Sequence, residues 1–191
     1  MLPSSTPSRL PPIPRFKSSF SLEGDFEPKR NNQVAVISKW PTDYELSFTI
    51  NPWGTEAADW NTIIHLTNGI PFPNYQSRMP AVYFSPGGTR LHIWQSVLVS
   101  AGNDHKFLTW AHESQQLLLN TETRFRIGLV GETFNVDING TRVHNAVSIN
   151  QPPVLGDVKV YLGEPNYPAA KAVISNITFV DLVSSIWQFG L

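Results

Sequence analysis

The chain has no cysteine among its 191 residues, and only 15% of its residues are charged. Without cysteine it can form no disulfide and no zinc–thiolate site, and it has no thiol nucleophile. Its net charge of −1 gives little attraction for a phosphate backbone or an anionic membrane, so we expect no nucleic-acid partner. No apolar run approaches the length of a membrane span, so we also expect no membrane insertion.

The N-terminal segment lacks the uninterrupted apolar core of a signal peptide. Residues 1–19 are instead rich in proline and serine, which predicts an extended arm. Leu10, Ile13 and Phe16 are apolar side chains through which this arm can dock on its own domain or on a neighbouring chain, and we favour docking over a free tail. The chain is either not exported by the ordinary route or a fragment of a larger protein. Of the possible locations, we favour an extracellular or surface-exposed one, including a place on a virion.

Aromatic and turn-forming residues are abundant. The chain contains 11 Phe, 6 Trp and 16 Pro, and 41% of its residues are hydrophobic, which is typical of a β-sandwich or barrel. In residues 44–50 every second side chain is apolar (Tyr44, Leu46, Phe48 and Ile50), which predicts a half-buried strand. The length suits one larger all-β domain.

Residues 124–148 show the same alternation in two consecutive segments, at Phe125, Ile127 and Leu129 and again at Phe134, Val136 and Ile138. Gly131 breaks the first segment and Asn139-Gly140 the second, and Asn-Gly is a strong signal for a tight hairpin turn. We therefore predict a three-stranded antiparallel meander. Its register places Arg126 opposite Asp137 on the solvent face, where opposite charges stabilise the pairing.

Alternation and turn residues predict further strands along the chain. They lie at residues 20–26, 33–38, 60–67, 81–85, 90–97, 104–112, 116–119, 157–163 and 172–180, where 116–119 also fits a helical turn. About a dozen strands with a turn every ten residues or so predict an all-β, antiparallel two-sheet jelly-roll sandwich. We expect it to span residues 20–182, between the arm at 1–19 and a tail at 183–191.

The order of these segments resembles a known superfamily. The segments are YELSFTI, WNTIIHLT, AVYFSPGGTRLHIW, RFRIGLVGETFNVDINGT and VKVYLGEPNYPAAKAVISNITF. Together they resemble the concanavalin A-like lectins and glucanases, particularly the laminin-G-like, pentraxin-like and galectin-like jelly rolls, over residues 20–182. The resemblance implies the fold directly. It implies function only broadly, because members bind sugars, bind proteins, cleave glycans or serve as structural modules.

The chain departs from the best-known branches of that superfamily. Galectins carry a His-x-Asn-x-Arg strand, which His65-Leu-Thr-Asn68 matches only distantly. Glucanases carry Glu-x-Asp-x-x-Glu on one strand, and the segment from Glu132 to Asp137 has a different spacing. The clustered Asp/Asn calcium site of legume-type lectins has no counterpart in the sequence. We therefore expect no cofactor, with calcium left open.

No catalytic constellation is visible. The 15 acidic residues are scattered singly, whereas glycosidases generally pair two carboxylates across the scissile bond. The five histidines are expected to be solvated or structural, and they are His65, His92, His105, His112 and His144. Neither a Ser/His/Asp signature nor a glycine-rich phosphate loop occurs. We expect the protein not to be an enzyme.

A binding face is the better candidate. Arg90, His92 and Trp94 share one face of their predicted strand, and we expect His65 and Asn61 on the same sheet face. An aromatic ring can stack on the C–H groups of a sugar while planar donors bind its hydroxyls. This mixture predicts a ligand site.

The loop that carries Asn74, Tyr75 and Arg78 is expected to wall one end of that site. Alternatively, Trp94 packs beneath the arm or a neighbouring subunit, because exposed aromatics mark protein interfaces as well as sugar sites. The other aromatics near this face, Trp53 and Trp60, are assigned to the core or rim.

Two functions remain open on the sequence alone. The first is a non-catalytic, lectin-like recognition module that binds a glycan or a glycosylated receptor. The second is a structural, assembly or attachment subunit of a virion or other large complex, or a homo-oligomer, in which residues 1–19 contact neighbouring chains. Asn139 and Asn176 each begin an Asn-x-Thr sequon and are candidate glycosylation sites.

Overall fold

A computed structural model describes residues 12–56, 58–71, 75–98, 107–146 and 156–183. These residues form thirteen strands and one short 3-10 helix, Tyr75–Ser77. The strands are β1 (Arg15–Phe16), β2 (Phe20–Phe26), β3 (Gln33–Ile37), β4 (Tyr44–Pro52), β5 (Asn61–Thr67), β6 (Ala81–Phe84), β7 (Arg90–Leu98), β8 (Phe107–Gln116), β9 (Thr123–Val130), β10 (Thr133–Ile138), β11 (Thr141–Ala146), β12 (Val158–Tyr161) and β13 (Ala172–Asp181). In this described part no helix is long and apolar enough to cross a membrane.

The strands form two sheets that pack face to face. The seven-stranded sheet has the order β1-β3-β12-β5-β6-β7-β8, and the six-stranded sheet has the order β11-β10-β9-β4-β13-β2. Every pairing is antiparallel except that of β1 with β3. The predicted all-β two-sheet sandwich is confirmed.

Alternation along the strands builds the core between the sheets. In β4 buried and half-buried residues alternate without a break from Tyr44 to Pro52. Aromatic rings fill one end of the core around Phe179. The centroid of the Phe179 ring lies 5.7 Å from that of Phe20 and 5.3 Å from that of Tyr44, and both pairs are stacked. The Trp40 ring lies 5.0 Å from the Phe179 ring. Each fully buried ring of this kind contributes about 2–3 kcal/mol of transfer free energy.

The central meander has the predicted register. Arg126 of β9 lies opposite Asp137 of β10, and its Nη2 is 2.5 Å from Oδ2 of the carboxylate. Arg142 of β11 binds the same carboxylate from the other side. Hydrogen bonds from Arg142 and Arg126 outweigh burial and lower the pKa of Asp137. The two guanidinium groups cover Asp137 so fully that only 4% of its side chain is exposed, although it lies on the outer face.

The described part of the N-terminal arm lies against its own sheet. Pro14 O accepts a hydrogen bond from Val36 N at 3.0 Å, and β1 continues this parallel pairing along β3. Arg15 forms a bidentate ion pair with Asp157, with distances of 2.7 and 2.8 Å. Phe16 packs against the core, whereas Ile13 is 47% exposed. The arm residues 1–11, including Leu10, lie outside the described residues.

Strand β8 corrects one prediction. The sequence predicts separate strands at 104–112 and 116–119, but a single strand runs from Phe107 to Gln116. The polar run Glu113-Ser114-Gln115 interrupts the alternation without ending the strand, because β8 is an edge strand and its pairing with β7 shifts by one residue at this point. Residues 104–106 lie outside the described residues.

Candidate functional site: a groove on the outer face of the seven-stranded sheet

Cross-strand pairing places a set of polar and aromatic side chains on the outer face of the seven-stranded sheet. Ala81 lies opposite both His65 and Trp94, and Tyr83 lies opposite His92. Residues directly opposite in an antiparallel pair point to the same side. The face that carries His92 and Trp94 therefore also carries His65 and Tyr83.

Trp94 belongs to an aromatic cluster on this face. Its ring centroid lies 5.1 Å from that of His92, 5.2 Å from Tyr83 and 5.3 Å from Trp60. The Cζ atom of Arg78 lies 3.8 Å from the Trp94 ring centroid, which is a cation–π contact. Trp94 is thus half-buried beneath Arg78, and replacing it would disturb packing as well as any ligand contact.

Two other tryptophans differ from each other in environment. Trp60 joins the cluster on the outer face, with its ring 4.8 Å from that of His92. Trp53 is 49% exposed in the turn after β4, away from the cluster. The sequence did not connect Trp60 with the candidate site, because unbroken alternation would put Trp60 and His65 on opposite faces, and the bulge between Thr62 and Ile64 reverses that alternation.

Arg90 lies at the start of β7, at the edge of this face. Its Nη1 donates to Oε1 of Glu113 at 3.1 Å, and about half of each side chain is exposed. The ion pair is solvated and holds Arg90 toward β8.

The expectation that Asn61 shares a sheet face with His65 is wrong. Asn61 lies opposite Phe84, whose side chain is in the core, and Asn61 is 1% exposed. A bulge between Thr62 and Ile64 adds one residue to β5 and reverses the alternation. Asn61 therefore faces inward, where its Nδ2 donates to the carbonyl of Asp59 at 3.1 Å.

The remaining predicted positions lie elsewhere or outside the described residues. Asn74 and the side chain of Tyr75 are not described, and Tyr75 begins the short 3-10 helix. Asn139 occupies the β10–β11 turn with φ of 49°, and its Oδ1 accepts a hydrogen bond from Arg124 N at 2.9 Å. Asn176 is exposed at a bulge in β13 with φ of 54°. Both sequons remain predictions.

A groove of about 490 Å³ opens beside the aromatic cluster. It lies over β12 and β5, between the loop that follows β5 and the loop that follows β12. The lining residues that carry polar or aromatic groups are His65, Thr67, Ser77, Arg78, Tyr83, Lys159, Tyr161, Glu164, Asn166 and Tyr167. Tyr161 lies opposite His65, which places it on the same outer face.

A buried carboxylate lies at the base of the groove. Glu164 is 3% exposed, and its Oε2 lies 3.1 Å from Nδ1 of His65 and 3.4 Å from Nδ2 of Asn166. Burial alone would raise its pKa, but the interactions with His65, Tyr83 and Asn166 outweigh burial and lower it. Glu164 is therefore ionised at neutral pH.

His65 connects the two walls of the groove. Its Nε2 lies 2.5 Å from the carbonyl oxygen of Ser77, which only accepts, so Nε2 carries a proton and donates. Its Nδ1 faces Glu164. One imidazole ring thus holds the short 3-10 helix before Arg78 and the loop after β12 in fixed positions.

The hydroxyl of Tyr83 is buried beside this network. Burial raises the pKa of its hydroxyl, and the charge of Glu164 raises it further against the opposing effect of Arg78. The phenol therefore stays protonated at any physiological pH. It can donate a hydrogen bond, but it is a poor nucleophile.

Most of the groove is not evident from the sequence. Lys159, Tyr161, Glu164 and Tyr167 were not singled out, although alternation in β12 places Lys159 and Tyr161 on one face. No metal-binding group was predicted, and among the described residues no three His, Asp or Glu side chains are arranged to hold a metal ion. The chemistry available in the groove is stacking, hydrogen bonding and charge pairing.

The fold is similar to parts of several solved structures. The receptor-binding domain of botulinum neurotoxin D has a TM-score of 0.53 at 11% identity, with 85% of this chain and 44% of that chain covered. The serotype G binding domain has a TM-score of 0.50 at 14% identity, with 89% and 42% covered. Trypanosoma rangeli sialidase has a TM-score of 0.52 at 11% identity, with 78% and 25% covered. This chain therefore spans less than half of either toxin domain and a quarter of the sialidase.

Sheep galectin-11 matches with a TM-score of 0.43 at 10% identity, with 78% of this chain and 98% of the galectin covered. No protein-family model matches the chain, and no curated protein matches it by sequence. At these identities the similarity shows the fold alone. The two-sheet fold predicted from the sequence is therefore shared with these toxin domains.

Proposed function

We propose that the protein is a non-catalytic recognition module that binds a glycan, or the glycan of a glycosylated receptor, in the groove over β12 and β5. The observation that carries the proposal is that one groove holds two half-exposed rings, Tyr161 and Tyr167, together with the polar groups of Lys159 and Asn166. Tyrosine rings stack on the C–H faces of sugars, and the polar groups bind hydroxyls.

The size and rigidity of the groove support this proposal. A volume of about 490 Å³ fits a ligand of a few sugar rings and lies within the usual range of small-molecule sites. The groove walls are held by Glu164, His65 and Tyr83 before any ligand arrives. Pre-organised walls lose little conformational entropy on binding, so weak stacking and hydrogen bonds suffice.

The charged groups of the groove favour binding over hydrolysis. Glu164 is the single carboxylate among the described lining residues, and hydrolysis by the usual route needs two carboxylates about 5–10 Å apart. The raised pKa of Tyr83 keeps its hydroxyl protonated. The lining therefore offers neither the usual pair nor a ready oxygen nucleophile.

Two further observations agree with a recognition module. The structural neighbours include toxin domains described as binding and receptor-binding domains, in line with an extracellular or surface-exposed location. Residues 14–17 pair with β3 and the two residues after it in the same chain, which favours this function over an assembly subunit whose arm binds neighbouring chains.

A glycan array with matched variants tests the proposal. Tyr161→Ala and Tyr167→Ala are each expected to weaken binding to the preferred glycan about tenfold, because each loses a stacking contact of about 1 kcal/mol and its buried area. Trp53→Ala is the control, since Trp53 is an exposed aromatic outside the groove. Circular dichroism and urea unfolding verify that each variant folds. An array without any bound glycan, or full binding by both tyrosine variants, would refute the proposal.

A further inference from the structure

The groove differs in charge from the protein as a whole. The chain has a net charge of −1, whereas the described groove lining holds two cations, Arg78 and Lys159, and one anion, Glu164. The lining is therefore net positive within a slightly acidic protein.

The single carboxylate of the lining is not available to a ligand. Glu164 is 3% exposed and interacts with His65, Asn166 and Tyr83. A ligand in the groove therefore meets little negative charge. Arg78, which is 8% exposed above Trp94, contributes a fixed positive charge at the base.

Lys159 is the accessible cation. It lies in the middle of β12, opposite Val36 on one side and Thr67 on the other, and it is half-buried with its ammonium group near Gly69. Among the described residues it forms no ion pair. The nearby carboxylate, Asp157, is bound by both guanidinium nitrogens of Arg15.

A third cation lies at the rim. Arg30 donates from its Nε to the carbonyl of Pro165 at 2.7 Å, next to Glu164 in the loop that walls the groove. Arg30 thus adds a positive charge beside the loop wall, in addition to Arg78 at the base and Lys159 on the strand. An anionic group beside Lys159 would gain a charge-assisted hydrogen bond, which is stronger than the neutral hydrogen bond of a hydroxyl.

We infer that the groove selects an anionic glycan, one whose sugar ring carries a carboxylate or sulfate group that binds Lys159 while the ring stacks on Tyr161. Lys159 and Tyr161 are two residues apart on β12 and point to the same face, so one monosaccharide can reach both. The inference rests on the proposed function, because it specifies the ligand of the same groove.

Matched ligand pairs test the inference by titration calorimetry. One pair is tetragalacturonate and its fully methyl-esterified form, and the second is a galactose tetrasaccharide with and without sulfate esters. We expect the anionic member of at least one pair to bind at least tenfold more tightly than its neutral counterpart. The pair that shows this difference tells whether the groove prefers a carboxylate or a sulfate group. Raising NaCl from about 50 mM to about 500 mM should weaken only the anionic member, because salt screens the exposed charges.

Variants at Lys159 connect this selectivity to the residue. Lys159→Gln is expected to reduce the preference for the anionic member about tenfold, while Lys159→Arg keeps the preference. Lys39→Gln, an exposed lysine outside the groove lining, is the control. Equal binding of both members, or an unaltered preference in Lys159→Gln, overturns the inference and leaves glycan binding standing. If no glycan of either kind binds, the inference and the proposed function both fail.

Discussion

Gly163 lies where the chain leaves β12 and enters the loop that walls the groove. Its φ is +90°, a region that favours glycine. A Cβ atom at this position would lie 2.3 Å from the carbonyl oxygen of Lys29 and 2.7 Å from its carbonyl carbon. These are backbone atoms of a segment that Asn32 N fixes by donating to Gly163 O at 3.1 Å. The segment from Lys29 to Asn32 therefore cannot move away from an added Cβ atom without losing this hydrogen bond.

We expect Gly163→Ala to destabilise the protein by about 2–5 kcal/mol. The positive φ accounts for about 1–2 kcal/mol, and overpacking against backbone for about 1–3 kcal/mol. The matched control is Gly156→Ala, because Gly156 has φ of +87° but open space where the Cβ would lie. The control should cost only the conformational part, about 1–2 kcal/mol.

Urea unfolding monitored by tryptophan fluorescence measures both variants. The midpoint of Gly163→Ala should fall well below that of Gly156→Ala, with an unchanged m-value. If the two variants unfold at the same urea concentration, the close approach of Lys29 to Gly163 contributes nothing and the reasoning is refuted. Because Glu164 follows directly, Gly163→Ala should also weaken ligand binding in the groove.

Two further predictions concern charged groups outside the groove. Asp137→Asn should lower the free energy of unfolding by about 2 kcal/mol. This figure includes a discount for solvent screening, because Arg126 and Arg142 are about half exposed. Urea unfolding measures the change, and a loss below about 0.5 kcal/mol would contradict a stabilising role of the two ion pairs. His112 and His144 have lowered pKa values because of burial, so each prefers the neutral form when folded. The free energy of unfolding should therefore fall as the pH drops below about 6.5, the ordinary pKa of histidine. The double variant to Gln should flatten this slope, and an unchanged slope would refute the assignment.

Alternation predicted most of the fold because most strands have one buried face. In β4, β9 and β10 the apolar residues alternate, and turns at Gly131 and Asn139-Gly140 end the segments. The Arg126–Asp137 register followed from the turn position alone. These are local signals, readable from a few neighbouring residues.

The groove could not be predicted in the same way, because its parts come from distant segments. β12 lies between β3 and β5 in the sheet, and no local pattern in the sequence indicates this order. The pairing of Tyr161 with His65 and the contact of Glu164 with His65 depend on it. Asn61 was misplaced for a different reason, since one extra residue in β5 reverses the alternation that the prediction used.

The parallel strand β1 has a consequence for how the protein behaves in solution. By accepting hydrogen bonds from Val36 N and Ser38 N, the segment 14–16 occupies a sheet border that would otherwise stay open. Open borders recruit strands from other molecules and promote aggregation. A chain shortened to begin at Phe20 would expose the edge of β3 to pairing with strands of other molecules. By covering this edge, residues 14–16 reduce self-association.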